Sequence, residues 1–127
     1  MKKSVQTLLY WLAPTGWAIG LFILSSMSFA ERPPTYPHED KVIHLLLYAN
    51  LGLLLLLALL RERGWNPRRA AMIAFVMTSL YGMTDEFHQY FVPTRSCDWR
   101  DWLADTAGAA IVFAVAAHEQ KRIQTSN

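Results

Sequence analysis

The stretch "VIHLLLYANLGLLLLLALL", residues 42–60, contains no charged side chain and is dominated by leucine. A helix rises about 1.5 Å per residue, so about 20 apolar residues cross a hydrocarbon core about 30 Å thick. A soluble amphipathic helix would interrupt such a run with charged residues on its exposed face. The stretch therefore predicts a helix that spans a membrane.

A second uncharged segment, residues 4–30, lies upstream of the first. It follows Lys2 and Lys3 and ends in small residues, a pattern that is also typical of a cleaved signal peptide. The segment is longer than the usual apolar region of such a peptide, and Pro14 and Gly16 interrupt it. We therefore favour a retained helix, with cleavage as the alternative.

Two shorter uncharged segments, residues 70–84 and 106–118, complete a set of four. Asn66-Pro67 suits the start of the third helix, and Gly64 suits the end of the second. Only 17% of the residues are charged, against about a quarter in soluble domains, and the membrane-spanning segments leave no room in 127 residues for a soluble catalytic domain. We predict an all-α fold, a single domain over residues 1–127 that forms a four-helix transmembrane bundle with spans at roughly 5–30, 41–60, 67–90 and 98–120.

The basic residues predict the orientation of the bundle. With the N- and C-termini in the cytoplasm, eight of the twelve lysines and arginines face that side, as the positive-inside rule requires. They are Lys2, Lys3, Arg61, Arg63, Arg68, Arg69, Lys121 and Arg122, whereas Arg32, Lys41, Arg95 and Arg100 face the opposite side. The net charge of +2 is thus explained by topology and indicates no nucleic-acid partner.

The two short segments predict that acidic side chains enter the membrane. Residues 70–84 and 106–118 cover only about 22 Å and 20 Å as helices, less than a hydrocarbon core of about 30 Å. Lysine and arginine can reach the interface on long stems, but aspartate and glutamate cannot. We therefore expect Asp85, Glu86 and Asp105 below the outer headgroup level, in a polar pocket between helices, because an unpaired carboxylate there costs a few kcal/mol.

Helical spacing directs further polar residues towards this pocket. Asp40, His44 and Tyr48 follow one another at i+4 on the second helix, with Lys41 beside them. Arg95, in the loop before the fourth helix, has a planar fork that suits a carboxylate or a phosphate. We assign candidate catalytic roles to Asp85, Glu86, His44 and Asp101, and candidate substrate-binding roles to Lys41, Arg95, Gln89, Asp40, Asp105 and Tyr48. No metal ligand is assigned, because no tight motif such as His-Glu-x-x-His occurs, and no cofactor is inferred.

Structural roles are the alternatives at several of these positions. His44 could be a satisfied core histidine, Tyr48 a packing residue and Asp98 the N-cap of the fourth helix. Gly16 and Gly20 have the spacing of a helix-packing face, either within the chain or in a homodimer.

Two stretches resemble the signatures of VanZ-like membrane proteins, the teicoplanin-resistance protein family. They are "DKVIHLLLY", residues 40–48, and "DEFHQYFVPTRSCDWRDWLADTAGA", residues 85–109. The positions that match are Asp40, Lys41, His44 and Tyr48 in the first, and Asp85, Glu86, Gln89, Pro93, Arg95, Asp101, Asp105 and Gly108 in the second. Asp105 stands where many relatives have asparagine. "ILSSM", residues 23–27, resembles the serine pair that ends the first helix of the family, which favours a retained span.

The resemblance implies a multi-pass protein of the bacterial cytoplasmic (inner) membrane with a role in the cell envelope, such as glycopeptide resistance. It implies no particular reaction, so whether the protein is an enzyme is left open. The first hypothesis is binding or modification of a membrane lipid or lipid-linked cell-wall precursor, with Lys41 and Arg95 on a phosphate and Asp85, Glu86 or His44 moving a proton. The alternatives are a metal-dependent membrane hydrolase and a non-enzymatic scaffold or transport accessory.

Overall fold

Four α-helices make up the protein, whose computed structural model describes residues 2–28, 34–62 and 65–126. They are α1 (Lys2–Ser26), α2 (Glu39–Arg61), α3 (Pro67–Gln89) and α4 (Trp99–Thr125). No strand occurs in these described ranges, so the predicted all-α, four-helix fold is confirmed. Two helix ends differ from the rough spans predicted: α1 ends at Ser26, and α4 continues to Thr125. In the last turns of α4, Glu119 pairs with Arg122 at 3.0 Å.

Two of the helices have the length and apolar character of membrane spans. They are Val5–Ser26 within α1 and Glu39–Arg61, which is α2. The outer surface of α1 carries leucines that are more than half exposed, such as Leu8 and Leu12. Leucines exposed at this density suit a lipid environment rather than water. The helices α3 and α4 are less apolar, as their short uncharged segments predict; the cytoplasmic placement of both termini stays a prediction.

Side-chain caps start the third and fourth helices at the predicted residues. The Asn66 side chain accepts a hydrogen bond from the backbone N–H of Arg68 at 2.9 Å, and Pro67 occupies the first helical position. Asp98 caps α4 in the same way, accepting from the backbone N–H of Arg100 at 2.9 Å. Such caps satisfy backbone donors that a helix cannot pair internally. Gly64, the predicted end of α2, lies outside the described residues.

The apolar core lies near the α2–α3 connection, and this places the polar residues at the opposite end of the bundle. α4 packs against α2 and α3, while α1 packs mainly against α2. The core residues of α2 and α3 are Leu51, Leu55, Leu56, Leu59, Ala70, Ala71 and Ala74. Since alanine has a short side chain, α3 can approach the leucine face of α2 closely. The start of α2, the end of α3 and the start of α4 then meet at the other end, here called the polar end.

Gly108 is the point of closest approach between α4 and α2. A Cβ atom at this position would overlap the backbone oxygen of Leu45 and lie 2.9 Å from the backbone nitrogen of Ala49. Because both neighbours are backbone atoms, the two helices would have to separate. We expect Gly108→Ala to destabilise the protein by about 1–3 kcal/mol, and so to lower its thermal unfolding midpoint in detergent by at least about 4 °C.

Gly20→Ala is the matched control for Gly108→Ala. Among the described residues, nothing lies within 4 Å of a Cβ built on Gly16 or Gly20. Replacing a helical glycine in open space by alanine should be neutral or stabilising by up to about 1 kcal/mol. Equal unfolding midpoints for Gly108→Ala and the unaltered protein would contradict the close approach of α2 and α4. The Gly16–Gly20 face is exposed rather than packed within the chain, and a homodimer through it stays a prediction.

Candidate functional site

The ten residues that the sequence assigns to the site come together at the polar end of the bundle. Three helices and one loop supply them: Asp40, Lys41, His44 and Tyr48 lie on α2, Asp85, Glu86 and Gln89 on α3, Arg95 in the α3–α4 loop, and Asp101 and Asp105 on α4. Six of them are buried, namely Tyr48, Asp85, Glu86, Gln89, Asp101 and Asp105. Buried ionisable groups at this density are costly unless they are paired, and the pairing gives the site its structure.

Lys41 holds the start of α2 to the start of α4. Its Nζ atom lies 2.7 Å from Asp40, 2.8 Å from Asp98 and 2.5 Å from Asp101. The Lys41 ammonium keeps the pKa of the Asp98 carboxyl below its usual range, so this carboxylate stays ionised in mildly acidic solution. Asp98 is thus both the cap of α4 and a partner of Lys41. With three carboxylates around it, Lys41 would have to leave one of them to bind a phosphate.

His44 is oriented by a buried carboxylate of α4. Its Nδ1 atom lies 2.9 Å from Oδ1 of Asp105, which has no exposed surface. Gly82 of α3 makes room for this carboxylate, because a Cβ at Gly82 would lie 2.7 Å from Oδ2 of Asp105. The other ring nitrogen, Nε2, lies 3.9 Å from Oδ2 of Asp101, beyond hydrogen-bond distance. His44 is therefore only half satisfied.

Tyr48 links the histidine to Asp85. Its hydroxyl donates to Oδ2 of Asp85 at 2.8 Å, and its ring stacks on that of His44 with centroids 6.2 Å apart. Tyr48 is 1% exposed, so it both packs in the core and carries a specific hydrogen bond. The structure thus shows a packing role for Tyr48, and its role in substrate binding stays a prediction.

Glu86 combines burial with an unused oxygen. Its Oε2 atom accepts a hydrogen bond from the backbone N–H of Asp98 at 2.9 Å. Its Oε1 atom is buried and has no hydrogen-bond partner among the described residues. The same holds for Oδ2 of Asp105. A buried carboxylate oxygen without a partner costs free energy, so both atoms are available to a further donor or cation.

A cavity of about 360 Å³ opens between α1 and the polar end and is here called the Arg95 cavity. Its polar lining consists of Ser25, Asp40, His44, Tyr48, Asp85, Gln89 and Arg95. The Arg95 guanidinium also donates to the backbone oxygen of Leu24 at 3.1 Å, which ties the α3–α4 loop to α1. Lys41, Glu86, Asp101 and Asp105 are not part of this lining and lie behind His44 and Tyr48.

A second, apolar cavity of about 430 Å³ lies further along α1 and is here called the Ala18 cavity. Ala18, Phe22, Leu51, Leu55 and Tyr81 are among the residues that line it. Tyr48 lines the Arg95 cavity and Tyr81 lines the Ala18 cavity. The centroids of their rings are 6.2 Å apart. The two cavities therefore lie next to each other along α1.

Two serines of α1 lie at the polar end although the sequence assigns them no role. Ser25 is buried and lines the Arg95 cavity, and its hydroxyl has no hydrogen-bond partner in the described part of the chain. Ser26 lies 2.9 Å from Nε2 of His88, so His88 faces α1 rather than the carboxylates. The serine pair in "ILSSM" is the signal that could have identified both residues.

Comparisons with known proteins give one match. The family described as VanZ/LLP1 matches residues 5–118, a range that includes all ten assigned residues and the serine pair of α1. No curated protein and no solved structure matches the chain.

Proposed function

The chain belongs to the VanZ/LLP1 family and is a membrane protein, and from this premise we propose that it binds a phosphate-bearing membrane lipid or lipid-linked cell-wall precursor. The headgroup occupies the Arg95 cavity and the hydrocarbon chain occupies the Ala18 cavity. The observation that carries this proposal is the pair of neighbouring cavities, one with polar side chains and one apolar. Together they match the two ends of an amphiphile.

Arg95 is the residue of this cavity best suited to a phosphate. It is the one cationic side chain in the described lining of the Arg95 cavity, apart from His44 if that is protonated. The planar guanidinium offers paired donors to phosphate oxygens, and such charge-assisted hydrogen bonds are stronger than neutral ones. Gln89 and Ser25 line the same cavity and supply neutral groups for the rest of a headgroup.

The position of α1 supports entry of a lipid from the membrane. α1 packs mainly against α2 and makes fewer contacts with α3, and both cavities lie along it. A lipid could therefore reach the cavities sideways, between α1 and α3, without leaving the hydrocarbon layer. We place the protein in the bacterial inner membrane as a multi-pass protein, with the polar end on the extracytoplasmic side, where cell-wall precursors carry their headgroups.

The test is the identity of lipids that remain bound after purification in mild detergent. We expect extraction and mass spectrometry to find a phosphate-bearing lipid enriched over its share in the membrane. Arg95→Ala should reduce the bound amount about 10-fold or more, because a hydrogen bond to a charged group contributes about 1.5–3 kcal/mol.

Arg100→Ala is the matched control for Arg95→Ala. Arg100 lies five residues further on, at the start of α4, where its guanidinium sits 5.9 Å from the centroid of the exposed Trp99 ring and lines neither cavity. Its replacement should leave the bound lipid unchanged. Equal lipid content in both variants would contradict the proposed headgroup site. If the lipid is a cell-wall precursor, the same Arg95→Ala variant should fail to support resistance to teicoplanin.

A scaffold role is the second candidate, and the Lys41 cluster favours it. The ammonium bonded to Asp40, Asp98 and Asp101 fixes two helices relative to each other and faces neither cavity. Under this alternative no lipid is retained specifically, and Arg95→Ala behaves like Arg100→Ala.

A further inference from the structure

Three side chains from three different helices converge behind the Arg95 cavity. His44 of α2, Glu86 of α3 and Asp101 of α4 each present a ligating atom, and these atoms lie within 4.8 Å of one another. Two atoms that bind one zinc ion at about 2.0–2.2 Å can be at most about 4.4 Å apart. A small contraction therefore brings all three onto one ion. Three nitrogen and oxygen ligands with one open position are typical of catalytic zinc sites.

The unused oxygen of Glu86 is an independent sign of a missing partner. Glu86 is 4% exposed, and its Oε1 atom is buried without a hydrogen-bond partner among the described residues. Buried carboxylates are normally paired or bound to a metal ion, and an oxygen left without a partner costs free energy. A bound cation would supply the partner and would distinguish this group from an ordinary acidic patch.

His44 is already held as a metal-binding histidine would be. Its Nδ1 atom is bonded to Asp105 at 2.9 Å, which leaves Nε2 facing Oδ2 of Asp101 at 3.9 Å. That distance is too long for a hydrogen bond but fits two atoms that share an ion. Histidines that bind metals usually pair their other ring nitrogen with a carboxylate or carbonyl, which fixes the orientation of the ring.

The charges around the cluster favour a cation. Six carboxylates lie at the polar end of the bundle, together with three cationic side chains, Lys41, Arg95 and Arg100. The carboxylates are Asp40, Asp85, Glu86, Asp98, Asp101 and Asp105. Lys41 bonds Oδ1 of Asp101 and so leaves Oδ2 directed towards His44. Carboxylates therefore outnumber cationic side chains at this end of the bundle.

We propose that His44, Glu86 and Asp101 bind a divalent transition-metal ion of the zinc type, with Asp105 as the residue that positions His44. Imidazole and carboxylate are the ligands that such ions accept, and of the three ligands His44 also lines the Arg95 cavity. This inference goes beyond the proposed lipid binding and does not depend on it, because the ligands stand without any lipid.

The test uses zinc alone on the purified full-length protein. After treatment with a chelator, the protein is titrated with zinc chloride, and bound metal is counted by mass spectrometry after gel filtration. We expect one zinc per chain. Glu86→Gln and Asp101→Asn should each weaken binding at least about 10-fold, and Asp105→Asn about 10–100-fold, the loss typical when the partner of a ligating histidine is removed.

His88→Asn is the matched control, since His88 lies at the same end of the bundle but contacts Ser26. It should bind zinc as the unaltered protein does. Absence of stoichiometric zinc in the unaltered protein, or equal affinity in all variants, would overturn the proposal. If a ligand variant does not fold, the unaltered protein is titrated with cobalt and its visible absorption is measured. Absence of the absorption of a nitrogen- and oxygen-bound cobalt ion would also overturn the proposal. Lipid content is measured separately, so failure of one proposal leaves the other standing.

Discussion

Lys41→Met is expected to destabilise the protein by about 2–3 kcal/mol, somewhat less than the roughly 3–5 kcal/mol typical of breaking a fully buried ion pair. The expected loss of stability is smaller because Lys41 is not fully buried: its side chain is 22% exposed. Removing the ammonium leaves Asp40, Asp98 and Asp101 without their shared counter-charge, and the Asp101 side chain is only 11% exposed. Water can stabilise Asp40 but reaches Asp101 poorly. The thermal unfolding midpoint in detergent should therefore fall by roughly 10 °C.

A second substitution separates the loss of a contact from the creation of an unpaired charge. In the Lys41→Met background, Asp101→Asn removes the carboxylate that is most deeply buried of the three. Removing both members of a buried pair is much less harmful than removing one, so the double variant should recover more than half of the lost stability. Lys121→Met, at the exposed far end of α4, is the control and should leave the midpoint unchanged. An unchanged midpoint for Lys41→Met would show that this cluster does not hold α2 to α4.

Ala18→Phe is expected to weaken lipid binding about 100-fold without replacing a polar side chain. Ala18 lines the apolar cavity, and a phenyl ring there would occupy space that a hydrocarbon chain needs. Each methylene of the lipid chain that is kept out of the cavity costs about 0.8 kcal/mol of binding free energy. Exclusion of three or four methylenes therefore costs about 2.5–3 kcal/mol. The measurement is the amount of co-purified phosphate-bearing lipid, determined by mass spectrometry.

Leu12→Phe is the control for Ala18→Phe, because Leu12 lies on the same helix and is 56% exposed on its outer surface. It should retain the lipid content of the unaltered protein. Equal retention by Ala18→Phe would mean that the chain of the lipid does not enter the Ala18 cavity. Loss in both variants would indicate a general effect on α1 and would also count against the cavity.

The sequence predicts the helices well because length and charge pattern decide them. The uncharged run of residues 42–60 has no alternative to a long helix, and Asn66-Pro67 and Asp98 have local hydrogen bonds that depend only on neighbouring residues. The ends of α1 and α4 were harder to place. Between Ser26 and Glu31 the sequence has no helix-ending glycine or asparagine and no charge to mark the end of α1, and the last turns of α4 are polar enough to resemble a loop.

The sequence also predicts that the polar residues meet, but not with which partners. Spacing at i+4 places Asp40, His44 and Tyr48 on one face of α2. Which carboxylate each residue meets depends on the rotation and depth of α4, which Gly108 sets through its contact with α2. The pairing of His44 with Asp105 spans 61 residues, and local spacing carries no information on it.

The contribution of α1 to the site is the part that the sequence reveals least. α1 has no polar stripe comparable to that of α2, so nothing in its periodicity directs Ser25 towards the Arg95 cavity. His88 is spaced to join Asp85 on α3 but instead contacts Ser26. Because α1 makes few contacts with α3, its placement depends on a small number of such polar contacts. The same weak packing leaves room for the two cavities.

The central claim is that the two neighbouring cavities hold a single amphiphile. Its most direct test is an experimental structure of the protein in nanodiscs formed from its native membrane. We expect a headgroup within hydrogen-bond distance of the Arg95 guanidinium and a hydrocarbon chain continuing past Tyr81 to Ala18. A structure in which α1 closes against α2 and α3, so that neither cavity has space for a lipid, would contradict the account.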